Sequence, residues 1–241
     1  MWALWTKEVR LFLYTWVAYL IAGIFLVGTG AFVWVFSGGV IQTGVAEMEA
    51  FFSIAPWFLL FLAPALTMRS FAEEFRTGTY ELLATAPLTA WEILLAKYLA
   101  ALVILLFAIL PTGIFYLSLG WLVQPRWGLD HGAIQGAYLG LFGMGAALTA
   151  IGLWASTLTT HTIIAFLWGL FWGFVGLIGV EFISELPIGR FLQVFFAELS
   201  LMEHYRSLSR GVLDSRDLVY FGGMIALGLG LARLQLARRH P

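Results

Sequence analysis

The sequence contains no cysteine and only two lysines, and both shortages exclude classes of chemistry. Without cysteine there can be no disulfide, no thiolate metal ligand and no cysteine nucleophile. A phosphate-binding loop needs glycine before its lysine and serine or threonine directly after it. Lys7 is followed by Glu8, and Lys97 lies between Ala96 and Tyr98. We therefore expect that the chain binds neither ATP nor another cofactor and is not an enzyme.

Charged side chains are also scarce, at 11% of the 241 residues. None occurs in the runs 11–46, 50–68, 98–125, 131–180 and 218–232. An apolar helix needs about 20 residues to cross a bilayer. The sequence therefore predicts an all-α polytopic membrane protein, folded as one transmembrane domain over residues 1–241. Six membrane-spanning helices are predicted: Leu11–Phe36, Phe51–Met68, Ala96–Val123, Ala133–Leu158, Thr162–Phe182 and Leu218–Ala237.

No charged residue lies near the middle of a predicted span. Ion-coupled transporters and proton relays place ionisable groups there, so this class is disfavoured. Ser156 and His161 could belong to an intramembrane serine protease, but no glycine-flanked serine accompanies them, and a polar turn between two spans explains them better. The other histidines, His131, His204 and His240, do not have metal-ligand spacing. We expect neither a catalytic site nor a metal site.

Basic residues are more frequent on one side of the predicted spans. With a cytoplasmic N-terminus, eight lie inside: Lys7, Arg10, Arg69, Arg76, Lys97, Arg233, Arg238 and Arg239. Five lie outside, four of them in one long loop: Arg126, Arg190, Arg206, Arg210 and Arg216. Short cytoplasmic loops carry an excess of Lys and Arg. The sequence therefore predicts a multi-pass protein of a bacterial or archaeal cytoplasmic membrane, with both termini cytoplasmic.

The polar segment, residues 69–89, separates the second and third predicted spans. Ser70 and Glu73 have the spacing of a capping box, which predicts the start of a helix. Gly78 can end that helix, and Thr79 can cap a second short one. The sequence therefore predicts two short helices on the cytoplasmic side.

Both short helices of the polar segment are predicted to be amphipathic, with Phe71 and Phe75 on one face. A helix that only lies on a membrane surface usually has a basic polar face. Here the acidic residues outnumber the basic ones, which favours a protein partner over lipid head groups alone. The acidic residues are Glu73, Glu74 and Glu81, and the basic ones are Arg69 and Arg76.

The segment 184–217 joins the last two predicted spans. Its apolar residues fall near one face of a helix: Phe191, Phe195, Leu199, Met202 and Leu208. This pattern indicates either an interfacial or re-entrant helix or a short surface helix packed on the bundle. Glycines recur at helical spacing in two spans, and we expect them to allow close helix packing. They are Gly132, Gly136 and Gly140 in the fourth span and Gly169 and Gly173 in the fifth.

The stretch EEFRTGTYELLATAPLTAWEILLAK, residues 73–97, resembles the signature of the ABC-2 class of ABC transporter permeases. The matching residues are Glu73, Glu74, Gly78, Thr79, Glu81, Leu82, Leu83, Pro87 and Lys97. Residues 1–10 resemble the N-terminal interfacial segment of that class, and residues 155–166 resemble its second cytoplasmic turn, with a departure at Thr160 and His161. Residues 204–221 are most similar to the gliding-motility branch.

The resemblance implies the permease subunit of an ATP-driven transporter that moves a hydrophobic or lipid-linked substrate. ATP and Mg²⁺ would bind to a separate ABC ATP-binding subunit. Segment 69–89 would be the coupling region, with Arg76 among its contacts, and 184–217 would be a re-entrant segment outside. A second permease half, identical or different, would complete the transporter, in contact with membrane lipid and with no nucleic acid.

The resemblance leaves a second interpretation open. In it, the chain is a non-transporting membrane anchor through which an ABC ATPase acts mechanically on an envelope or gliding-type complex. That system would include an auxiliary protein with a large periplasmic domain.

Overall fold

The computed structural model describes residues 1–36, 39–44, 47–122, 130–187, 190–211 and 214–238. Helices make up 86% of the structure, and the described residues contain no strand. The helices are α1 (Trp2–Tyr14), α2 (Trp16–Trp34), α3 (Val40–Thr43), α4 (Glu49–Thr67), α5 (Ala72–Thr77), α6 (Thr79–Ala84), α7 (Ala90–Ile109), α8 (Gly113–Leu122), α9 (His131–Leu158), α10 (Thr162–Phe174), α11 (Val180–Glu185), α12 (Arg190–Ala197), α13 (Leu201–Ser209) and α14 (Ser215–Ala237). A 3₁₀ turn (Leu110–Thr112) joins α7 to α8, and a π turn (Val175–Gly179) joins α10 to α11.

Five helical stretches in the described part of the chain are long and apolar enough to cross a membrane. They are Glu49–Thr77, Ala90–Leu122, His131–Leu158, Thr162–Ser184 and Ser215–Ala237. α1 and α2 meet the same criterion only together, as a pair bent by 64°, and they bring the number to six when counted as one span. The prediction of an all-α, multi-pass membrane protein is therefore confirmed.

The first predicted span, Leu11–Phe36, is divided in the structure. α1 ends at Tyr14, and Thr15 has an extended backbone, with φ −95° and ψ 125°, before α2 begins at Trp16. α2 has 19 residues, and helices rise about 1.5 Å per residue, so α2 alone approaches the thickness of a bilayer core. The predicted N-terminal interfacial segment, residues 1–10, is thus part of a separate helix that extends four residues further.

The third span begins at Ala90 rather than at the predicted Ala96. Thr89 and Glu92 form a capping box: the Thr89 hydroxyl accepts from the Glu92 N–H at 3.3 Å, and the Glu92 carboxylate accepts from the Thr89 N–H at 2.8 Å. This reciprocal pair satisfies two backbone donors that the first helical turn leaves free. The span therefore starts about two helical turns before the charge-free run does.

α9 is the central helix of the fold, and α4, α10, α13 and α14 all pack against it. Close approach depends on glycine. A side chain at Gly152 would collide with Thr67 of α4, and one at Gly140 would meet Leu208 of α13 at 3.1 Å. Four of the five predicted packing glycines, Gly136, Gly140, Gly169 and Gly173, have such neighbours on another helix, whereas Gly132 faces only Asp130.

In the described part of segment 184–217, the apolar residues of the predicted face are divided between α12 and α13 and the turn between them. α12 has no buried residue, and Phe191 is 81% exposed. α13 packs on α9 through Tyr205 and Leu208, and Met202 is also buried. The predicted face is therefore divided between an exposed helix and a packed one. The packed helix agrees with the surface-helix interpretation, while a re-entrant path for this segment stays a prediction.

The His204 side chain links α13 to α14 by direct contacts. Its Nδ1 lies 2.7 Å from the Asp217 carboxylate, and its Nε2 lies 2.9 Å from the Glu198 carbonyl oxygen. The imidazole also stacks on the Tyr220 ring, with centroids 3.8 Å apart. The neighbouring Tyr205 hydroxyl donates to the Phe52 carbonyl at 2.8 Å. These contacts hold α13 against the first turns of both α14 and α4.

Candidate functional site

The polar segment folds into two short helices, as predicted, and Gly78 separates them. Gly78 has φ 72° and ψ 4°, the left-handed conformation that glycine adopts without steric cost. The predicted caps are wrong. α5 begins at Ala72 without a side-chain cap hydrogen bond, so Ser70 and Glu73 form no capping box. Thr79 is the first residue of α6, and its hydroxyl lies 3.0 Å from that of Thr77.

The inner face of this helix pair is aromatic. Phe71 stacks on Phe75 with ring centroids 6.1 Å apart, and Tyr80 meets the Phe75 ring edge-on at 4.9 Å. Phe71 and Tyr80 are buried in a cluster that includes Leu94 of α7 and Leu153 of α9. The shared face predicted for Phe71 and Phe75 is therefore confirmed. It fixes the short helices to the ends of two long ones.

Most of the predicted coupling residues lie on the outer face. The exposed ones are Arg76, Gly78, Thr79, Glu81, Leu82 and Pro87, and Leu83 and Glu73 are half-buried. Leu82 is 72% exposed, although it is apolar and lies in a helix next to an acidic residue. Glu73 pairs with Arg76 at 3.4 Å. The outer face thus presents the Glu81 carboxylate and the Leu82 side chain side by side.

Glu74 and Leu83 do not lie on the outer face. Leu83 packs against the aromatic cluster, and the Glu74 side chain points inward to a buried ion cluster. The Lys97 ammonium lies 2.6 Å from the Glu74 carboxylate and 3.1 Å from that of Glu8. The Lys97 side chain is 2% exposed, and its ammonium also lies 5.3 Å from the centre of the Phe71 ring. One buried cation thus joins α1, α5 and α7.

Burial has a cost for the Glu74 carboxylate, because a charge removed from water is destabilised unless it is paired and hydrogen-bonded. One oxygen of this carboxyl, Oε2, is buried without a hydrogen-bond partner among the described residues. One carboxylate oxygen of the cluster therefore accepts no hydrogen bond from the described residues.

The sequence alone did not identify the cluster. Glu8, Glu74 and Lys97 lie far apart in the chain, and a helix pattern does not report contacts between segments. The available signal was the rarity of charge: Lys97 is one of two lysines and directly precedes a run of 28 uncharged residues, 98–125. A lysine in such a place needs a partner, because an unpaired buried ammonium is very costly.

The fold and this site define a multi-pass α-helical membrane protein with a fixed helix pair at one end of its bundle. The family model described as "ABC-2 family transporter protein" matches residues 41–199, which is more than half of the chain. The chain therefore belongs to the ABC-2 transporter family, and the resemblance at family level is confirmed. None of the curated proteins compared with it matches.

The matched region runs from α3 to the end of α12 and includes α5, α6 and α7. Membership of this family implies an ATPase partner and dimerisation in general. The gliding-motility branch is not distinguished by the match and stays a prediction.

Proposed function

We propose that this chain is the permease subunit of an ATP-driven ABC-2 transporter. It moves a hydrophobic or lipid-linked substrate across the cytoplasmic membrane and obtains its energy from a separate ATPase subunit. In this proposal both termini and the α5–α6 pair face the cytoplasm. The ATPase binds the outer face of α5 and α6. Its ATP-driven movement is transmitted through that pair to the membrane-spanning helices.

The main support for the proposal is that the α5–α6 pair has one exposed face and one face packed on the long helices. Its outer face carries Glu81 and the exposed Leu82, while Phe71, Tyr80 and the Lys97 cluster hold its inner face. A partner that moves the outer face must therefore move α1 and α7 as well, because a packed core does not deform gradually. A surface that touched only lipid or water would not need such an attachment.

Charge reversal at Glu81 tests the proposal. Glu81→Arg changes an exposed residue, so the chain should fold and accumulate in the membrane at its normal level. A like-charge contact at an interface costs several kcal/mol, so association with the ATPase should fall about tenfold or more. The measurement is the amount of ATPase subunit, and of ATP hydrolysis, that co-purifies with the tagged chain from its native membranes.

The matched control is Glu49→Arg, an exposed acidic residue at the start of α4. It should leave both readouts unchanged. A second variant, Gly78→Pro, imposes a φ near −65° where the structure has 72° and should also release the ATPase. Full ATPase retention in both the Glu81→Arg and Gly78→Pro chains would refute the coupling assignment.

A further inference from the structure

A cavity of about 400 Å³ lies beside the ion cluster, between α1, the start of α2 and the junction of α4 with α5. The residues that line one end are charged and include Lys7, Arg69 and Glu74. Those that line the other end are apolar and include Phe12 and Leu66. The boundary between charged and apolar sequence in both α1 and α4 thus runs through this cavity. Such a boundary corresponds to the level of the lipid head groups.

The cations of the cavity are not all neutralised by the protein. Glu8 and Glu74 both bind Lys97, and Glu73 binds Arg76. Arg69 is exposed, and among the described residues it makes neither an ion pair nor a hydrogen bond. The Lys7 side chain is 61% exposed. Its only ion pair among the described residues is with Glu8, and the distance from its ammonium to the Glu8 carboxylate is long, at 3.7 Å. Two cations are therefore available to an anion in the cavity.

A groove of about 190 Å³ continues the cavity on its apolar side. Ile21 of α2 and Ala65 of α4 line both spaces. From Ala65 the groove follows α4 back to Phe58, about 10 Å along the helix at 1.5 Å per residue. Phe166 of α10 also lines it. The combined space has a charged head and an apolar tail that runs along α4 toward the middle of that helix.

We propose that this space binds a glycerophospholipid. The phosphodiester binds Arg69 and Lys7, and one acyl chain lies in the groove between α2 and α4. The guanidinium of arginine suits a phosphate because it can donate two parallel hydrogen bonds.

This site requires neither the ATPase nor transport, so it can be tested on the purified chain alone. The full-length chain is reconstituted in vesicles of phosphatidylcholine. It is then extracted in mild detergent and analysed by native mass spectrometry. We expect one phosphatidylcholine to be retained per chain.

Arg69→Gln should lower retention about tenfold, the loss expected for one charge-assisted phosphate contact. The matched control is Arg10→Gln, which removes the same charge from an exposed position of α1 that does not line the cavity. It should retain lipid like the unmodified chain. Ala65→Leu narrows the junction with the groove and should lower retention.

Two outcomes would overturn the assignment. Equal loss of lipid in Arg69→Gln and Arg10→Gln would show that only general surface charge attracts it. Displacement of the lipid by inorganic phosphate alone would show that the cavity takes a free anion.

Discussion

The positively charged Lys97 side chain is almost completely buried. Two carboxylates within 3.1 Å of its ammonium make this burial possible, because they neutralise the charge. The desolvation of such a cluster offsets much of its attraction, so the cluster is weak as a net source of stability. Its effect is on geometry. Only one arrangement of α1, α5 and α7 lets the ammonium of Lys97 reach both Glu8 and Glu74, and the cluster therefore fixes that arrangement.

Removal of Lys97 alone should be strongly destabilising. In Lys97→Met two buried carboxylates lose their shared cation, and a broken buried pair costs about 3–5 kcal/mol. Adding Glu8→Gln and Glu74→Gln to that variant should restore part of the loss, because no unpaired charge then remains. The measurement is the thermal unfolding midpoint of the purified chain in detergent.

The matched control for Lys97 is the only other lysine. Lys7 is 61% exposed and contacts Glu8 at 3.7 Å, and exposed pairs contribute about 0–1 kcal/mol. Lys7→Met should therefore shift the midpoint little. If Lys97→Met were as mild as Lys7→Met, the cluster would not constrain the fold as we infer.

At the scale of the elements, the sequence was most informative about the long helices. The predicted second span agrees with α4 within three residues at each end, and the predicted fourth, fifth and last spans agree equally well with their spanning stretches, because an apolar run limits where a spanning helix can lie. The break at Thr15 was not predicted. No proline or glycine marks it, and it falls inside the uncharged run 11–46, so neither composition nor a breaker residue indicated it.

The caps illustrate a second limit of sequence patterns. Ser70–Glu73 and Thr89–Glu92 have the same spacing, but only the second pair forms a capping box. The Ser70 N–H donates to the Thr67 carbonyl at 3.0 Å, so it already belongs to the turn that closes α4. Thr89 lies in the connection between α6 and α7, two residues after Pro87, and its backbone is extended. The pattern predicts a helix start only where the preceding chain is free.

Gly152 tests the close approach of α9 to α4. In Gly152→Ala the new methyl group collides with Thr67 Oγ1 and lies 3.3 Å from Pro64 Cα, which is backbone. Overpacking of this kind costs about 1–3 kcal/mol, and about 2–4 °C per kcal/mol is usual for a chain of this length. We expect the unfolding midpoint to fall by several degrees.

Gly222→Ala is the matched control for Gly152. It places the same methyl group in α14, where no atom beyond the helix's own backbone lies within 4 Å. Alanine is favoured over glycine in a helix by about 1 kcal/mol, so this variant should be neutral or slightly more stable. Equal destabilisation by both changes would argue that glycine at 152 serves the helix itself rather than the contact with α4.

The whole molecule has two different ends, and α9 connects them. α13 packs on Gly136 and Gly140 in the first turns of α9, whereas the aromatic face of α5 and α6 clusters with Leu153 near its last turns. Gly136 and Leu153 are about 25 Å apart along the helix at 1.5 Å per residue. This separation is close to the thickness of a bilayer core, about 30 Å. The two ends should therefore face opposite sides of the membrane.

Cysteine labelling tests which end is cytoplasmic, and the absence of native cysteine removes any background. Thr77 and Glu203 are exposed at the α5 end and the α13 end respectively, whereas the neighbouring Ser200 is 1% exposed and would be a poor reporter. In intact cells, an impermeant thiol reagent should modify Glu203→Cys, and it should reach Thr77→Cys only after permeabilisation. This expectation rests on the excess of basic residues beside the α5 end. The opposite pattern would place α5 and α6 outside the cell, where no cytoplasmic ATPase could reach Glu81 or Leu82, and the proposed coupling would fail with the orientation.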